Sequence, residues 1–187
     1  MQKSTSLNKN NVNKEQIKFL ILLIGTYLIV YGFCQFWIGV CAPGGLYWPF
    51  ADQYLNFIKW YRELLIWGAV KIAAIFDLQT LSNSTQMRII GKGGVNIVYS
   101  CVGYGILSAL TAIGIAMPKK SVKQKVYFIL IGLFVFTVLN SLRIFLIAYY
   151  MKEAKKLSVD HHDLFNYFCY VLLMLGVYWW SRRRTRA

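Results

Sequence analysis

The chain has 187 residues, of which 57% are hydrophobic and 17% aromatic, with a formal net charge of +14 and a mean hydropathy of +0.46. That is one domain's worth of sequence, but it is too apolar for an ordinary soluble domain and reads as an integral membrane protein. Nucleic-acid binding is set aside as the meaning of the charge, because the basic runs flank apolar spans and form no groove or recognition helix.

In chain order, residues 1–16 are rich in Asn and Lys and read as a disordered cytoplasmic tail. A single transmembrane domain follows over residues 17–187. Residues 19–40 are the first apolar span. They outrun the 7 to 15 residues of a typical signal-peptide core and show no convincing cleavage site, so the span is expected to be retained. About 20 apolar residues cross a hydrocarbon core, and three later segments meet or approach that length: 95–117, 126–151 and 164–180. The third of the four spans is interrupted by a single charge, Arg143. The expected fold is an all-α integral membrane protein, a four-span helical bundle.

Between the first two spans lies the sequence LNFIKWYRELLIWGAVKIAAIF, residues 55–76, apolar enough to resemble a fifth span. Asn56, Lys59 and Glu63 recur at three- and four-residue spacing. They fall on one helical stripe, opposite Phe57, Leu64, Leu65 and the flank of Trp60. A polar stripe with Trp and Tyr residues predicts an outer interfacial helix, or one packed on the bundle. After it, MRIIGKGGVNIVYS has β-branched runs on either side of Gly91, Lys92, Gly93 and Gly94, which predicts a short hairpin. The Gly-rich turn lacks the lysine-serine/threonine ending of a phosphate-binding loop. An outer cap over residues 41–94 results.

The charges orient the spans. Lys3, Lys9, Lys14 and Lys18 precede the first span. Lys119, Lys120, Lys123 and Lys125 separate the second from the third, and Arg182, Arg183, Arg184 and Arg186 follow the fourth. With four spans, all three clusters fall on one side, as the positive-inside rule requires of a cytoplasmic face. Six of the seven acids (Asp52, Glu63, Asp77, Glu153, Asp160, Asp163) fall on the other side, and only Glu15 is inside. Both termini are therefore expected in the cytoplasm.

Helix rise then sets depth. Cys101 lies roughly 24 Å from the inner end of the second span, and Arg143 roughly 26 Å from that of the third. His161 and His162 stand just before the fourth span. A thiol, a guanidinium and an imidazole are thus expected in one outer layer. Each has an ordinary reading. Cysteine is a common small hydrophobe, as Cys34 and Cys169 are taken to be, and an arginine can snorkel to the headgroups. An intramembrane arginine between Leu142 and Ile144 is nonetheless a functional-site hypothesis by default. The chemistry such a set supports is thiol-dependent acyl transfer. A thiolate attacks, a guanidinium holds the developing oxyanion, and an imidazole moves the proton to the leaving amine. Asn140, one turn before Arg143, is placed to orient it.

Metal binding is the weaker use of these atoms. The adjacent histidines point about 100° apart on a helix, and no Cys-x-x-Cys or His-Glu-x-x-His accompanies them. No metal and no cofactor is expected. Cys41 is a second thiol on the outer side that could pair with Cys101, which would disable the nucleophile. Gly103 and Gly105 are expected to let the chain turn sharply, to let a neighbouring backbone approach, or to pack helices closely.

Three short sequences, SCVGYG at the start of a helix, NSLRIF near the end of the next, and HHDLFNY opening the last, resemble the exosortase/archaeosortase family of integral-membrane transpeptidases. The resemblance covers roughly residues 85–180. It implies an active site of a cysteine, an arginine and a histidine, carried here by Cys101, Arg143 in the Asn-x-x-Arg pattern from Asn140, and His162. His162 is favoured because Phe165, Asn166 and Tyr167 follow it in the family's manner, and His161 is the alternative. Val102 replaces the small polar residue that many members have after the cysteine, and many members have more than four spans.

The resemblance also implies partners and place: exported proteins with a C-terminal sorting signal, a glycan or lipid acceptor, and a multi-pass location in the cytoplasmic (inner) membrane. The active site would face the outer, periplasmic side. Two rival readings share these residues. One is a thiol acyltransferase acting on lipid, and the other is a non-catalytic scaffold or assembly factor for polysaccharide or protein export. A transporter is disfavoured, since the ionisable cluster sits at one face with no relay at the midplane.

Overall fold

A computed structural model describes the backbone of residues 3–44, 46–118, 120–154 and 161–182, and side chains within 14–44, 46–118, 120–150, 167–180 and 182. The order of elements is α1 (Lys3–Cys41), α2 (Pro49–Tyr54), α3 (Phe57–Ile75), β1 (Thr80–Ser82), β2 (Gln86–Ile89), β3 (Gly93–Asn96), a 3-10 turn (Tyr99–Val102), α4 (Tyr104–Ala116), α5 (Val122–Ala154) and α6 (His161–Arg182).

Three described helical stretches are long and apolar enough to cross a membrane: Lys14–Cys41, Tyr99–Ala116 and Val122–Tyr150. The described part of α6 adds a shorter apolar helix, Tyr167–Trp180. The second of the expected spans, 95–117, is not one helix. Its first residues belong to β3 and the 3-10 turn, and α4 proper is 13 residues long.

The long helices alternate in direction. The end of α1 meets the start of α4, where the rings of Tyr31 and Tyr104 lie 5.4 Å apart and the Gln35 amide donates to both hydroxyls at 3.1 and 3.0 Å. α4 then runs back along α5, close because small residues permit it: Gly114 lies against Ile129, and Gly132 against Leu110. Ser121 and Gln124 form a reciprocal cap at the start of α5, with bonds of 3.1 and 3.4 Å. α6 lies alongside, with Trp180 5.7 Å from Phe128. Between α4, α5 and α6 runs an apolar crevice of about 210 Å³, bounded by Ile106 and Phe136 at one end and Phe128 and Trp180 at the other.

The sheet packs at the end of the bundle where α1 finishes and α4 begins. Its order is β1-β2-β3, all antiparallel. The expected hairpin is present, with Ile89 opposite Gly93 and Gly91 at φ +81°. Gly93 and Gly94 lie in β3 itself, and β1 adds a third strand beside the hairpin. The Asn83 side chain closes the first connection by accepting from the backbone N–H of Thr85 and Gln86 at 2.9 and 2.7 Å.

α3 packs against the second half of α5. Its cap Asn56 is fully buried, accepting from the Lys59 N–H at 2.9 Å and donating to Asp52 at 2.8 Å. The face it buries departs from expectation. Ile58, Arg62, Leu65, Ile66, Ala69 and Ala73 point inward, whereas Phe57, Leu64 and Trp60 are exposed. Only Leu65 of the expected apolar face is buried. Small residues bring the two helices together, as where Gly68 lies against Ser141, and the bulky rings are left outward. The main core forms here: Leu65, Met87, Ile89, Ile97 and Val102 are the largest fully buried apolar side chains.

Candidate functional site

Cys101 sits where the sheet hands over to α4. Ile97 anchors the approach, buried in the core with its N–H bonded to Thr85 O at 2.8 Å. The chain then tightens into the 3-10 turn, closed by Cys101 N–H to Val98 O at 2.9 Å. Gly103 ends the turn in the left-handed region at φ +78° and starts α4, its carbonyl accepting from the N–H of Ile106 and Leu107. The position requires glycine twice over, for its backbone angle and because any Cβ would strike the Phe136 ring. Gly105 has no such constraint, since a Cβ there meets only Tyr31 at 3.8 Å. The Cys101 thiol is free and half-buried, packed against the main core.

α5 supplies the facing wall. Asn140, Ser141, Arg143, Ile144 and Phe145 are all buried. Asn140 is engaged with the cysteine turn: its Nδ2 donates to the carbonyls of Cys101 at 3.0 Å and Val102 at 3.4 Å. These carbonyls close a short 3-10 turn and lack the bonds that a longer helix would supply. The Oδ1 of Asn140 is buried and makes no hydrogen bond among the described residues. Asn140, expected from the sequence beside Arg143, is thus also the residue that holds the turn carrying Cys101. Arg143 follows Asn140 by less than one turn and is 8% exposed. On α6, Cys169 packs with Ile106 and Phe136.

A second buried arginine was not singled out in the sequence. Arg62 is 7% exposed and lies in the middle of the buried face of α3. Its Cζ is 5.0 Å from the ring centroid of Tyr99, a residue of the same turn as Cys101. The available signal was the helical period itself: Arg62 shares a face with Ile58, Leu65, Ile66 and Ala69, not with Asn56, Lys59 and Glu63.

The backbone of α6 begins at His161, but the side chains of His161 and His162 lie outside the described residues. Among the described residues no group of three or more His, Cys, Asp or Glu side chains is arranged to hold a metal ion. Cys41 is a free thiol buried beside Val40 and Ala51, unpaired with Cys101.

The site thus combines a half-buried thiol on a fastened turn with buried guanidinium groups from two helices. A family description, transmembrane exosortase (Exosortase_EpsH), matches residues 11–180. The chain belongs to this family. No curated protein and no solved structure matches it.

Proposed function

We propose that this exosortase is a membrane-embedded cysteine transpeptidase or protease that cleaves C-terminal sorting signals of exported proteins, with Cys101 as nucleophile. The observation that carries the reading is the fastening of the Cys101 turn by the buried Asn140 amide, beside the buried Arg143. Preorganised groups of this kind, in a site that excludes water, favour developing charge more than the same groups in solvent.

In the proposed reaction the Cys101 thiolate attacks the scissile carbonyl, and Arg143 stabilises the resulting oxyanion. Collapse forms a thioester and expels the amine, which takes a proton from the imidazolium of His162. An acceptor amine or hydroxyl, or water, then attacks the thioester, gives its proton to the imidazole and regenerates Cys101. His162 is preferred to His161 because Phe165, Asn166 and Tyr167 follow it in the family's manner.

The proposed placement has α1, α4, α5 and α6 as four spans in the cytoplasmic membrane and α3 in the outer interface. Both termini are cytoplasmic, and α1 runs as one helix from Lys3, within the expected 1–16 tail, into the first span of the domain. The thiol then stands on the periplasmic face, where a membrane-anchored substrate presents its scissile bond. The acceptor is a glycan or lipid at the surface.

The test is Cys101→Ser in the intact cell, with C-terminal tails of exported membrane-anchored proteins followed by mass spectrometry. Uncleaved precursors should accumulate, and turnover should fall by about a thousandfold or more for loss of a covalent nucleophile. Normal processing with the variant inserted at wild-type level would leave a scaffold as the better reading.

A further inference from the structure

The fold places at Arg62 a cost that its surroundings do not offset. The side chain is more than nine-tenths buried, and its Nε makes no hydrogen bond among the described residues. Tyr99 covers the guanidinium at 5.0 Å. A ring beneath a guanidinium stabilises the charge through its face. It does not supply an acceptor for the buried Nε–H, and a buried donor left unpaired is costly. What would complete Arg62 is an anion with acceptors in the guanidinium plane. A carboxylate has that geometry, with two oxygens matching the planar fork.

The position of Arg62 gives this gap a meaning. Tyr99 and Cys101 belong to one four-residue turn, held on the α5 side by Asn140 and covered on the α3 side by Arg62. We propose that Arg62 forms a carboxylate-binding subsite beside Cys101, which takes an acidic side chain of the polypeptide substrate and so helps to set its register over the thiol. The proposal rests on the reading of Cys101 as the nucleophile. α3 is then part of the binding machinery as well as a cover for α5.

The experiment needs no identified substrate. The full chain is reconstituted in neutral phosphatidylcholine vesicles and alkylated with iodoacetate or with the neutral isostere iodoacetamide. In each case the Cys101 sulfur forms the C–S bond and iodide leaves, and the adduct is quantified by peptide mass spectrometry. Wild-type protein should favour iodoacetate. Arg62→Gln should lower the iodoacetate-to-iodoacetamide ratio about tenfold, the scale of one charge-assisted hydrogen bond, and the ratio cancels any change in the reactivity of the thiol itself. Arg62→Lys, which keeps the charge and loses the fork, should lower the ratio by about threefold. It also serves as the variant to read if Arg62→Gln does not insert. An unchanged ratio in both variants overturns the subsite and leaves Cys101 as a nucleophile. A Cys101 inert to both reagents overturns the nucleophile reading and the subsite with it. Loss of the Arg62-dependent difference when phosphatidylglycerol is added would assign the anion to a lipid phosphate and overturn the polypeptide assignment.

Discussion

The sheet end and the middle of the bundle are built differently. At the sheet end, α3, the strands, the 3-10 turn and the second half of α5 close around Leu65, Met87, Ile89, Ile97 and Val102 with almost no exposure. In the middle, α4, α5 and α6 meet through small clusters such as Ile106, Phe136 and Cys169, and a crevice of about 210 Å³ remains between them. The difference teaches where the cysteine turn gets its rigidity. Lipid is as apolar as leucine, so helices within it gain little by burying leucines together. A core that brings in a sheet and a polar cap can also draw on burial from water, about 1.5–3 kcal/mol per large side chain. Cys101 is tied to the dense region, whereas α6, which carries the candidate histidine, borders the open one.

That contrast can be broken or sharpened by substitution, read as thermal unfolding of the purified protein in detergent. The largest effect should come from Leu65→Ala, which empties a fully buried position at the sheet end and should cost about 3–4 kcal/mol. Leu173→Ala beside the crevice should cost less than half as much, and equal losses would erase the distinction between the two regions. Gly103→Ala should follow at about 3 kcal/mol, from left-handed backbone strain plus overlap with Phe136. In a Phe136→Ala background only the backbone part should remain, so a full cost there would mean that the ring contact is idle.

Asn140→Leu comes next, at about 2 kcal/mol, because it strips two buried carbonyls of their donor. It should also slow substrate cleavage by about tenfold, and a stable variant with normal cleavage would separate the turn from the chemistry. The smallest effect belongs to Gly176→Ala. It lines the crevice and has nothing within 4 Å of an added Cβ, so a change within about 0.5 kcal/mol is expected. A large loss there would mean that the crevice is closed in the membrane.

Features carried by composition and period were legible in the sequence. The apolar windows of α1 and α5 stand out because nothing interrupts them except Arg143, and the hairpin was visible at Gly91 because a positive φ is needed there. Helix rise put Cys101 and Arg143 at one expected level, but Cys101 lies in a 3-10 turn before α4 and is tied to α5 by Asn140, which helix rise does not encode. Features that depend on which side of a helix meets a partner were not legible. α3 was assigned its buried face by putting large apolar residues inward. The face that meets α5 instead carries Ile58, Leu65 and Ile66 with the small Ala69 and Ala73 between them, while Trp60 and Phe57 turn outward. That same error hid Arg62, since its neighbours on the buried face were not recognised as buried. The bonds of Asn140 to the cysteine turn were not legible for a related reason: the partners are backbone carbonyls 39 and 38 residues away, and no local spacing encodes them.

One proportion of the fold links this chemistry to the membrane around it. α5 is a continuous helix from Val122 to Ala154, and Asn140, which holds the cysteine turn, stands 18 residues along it, roughly 27 Å from its start. That is nearly the thickness of a hydrocarbon core, about 30 Å. In the proposed placement the helix acts as a strut that sets the height of the thiol against the far edge of the membrane. A bilayer a few ångströms thicker would submerge the turn, and a thinner one would leave it clear. Lipid composition would then be a setting on the site, adjusted without touching any of its residues.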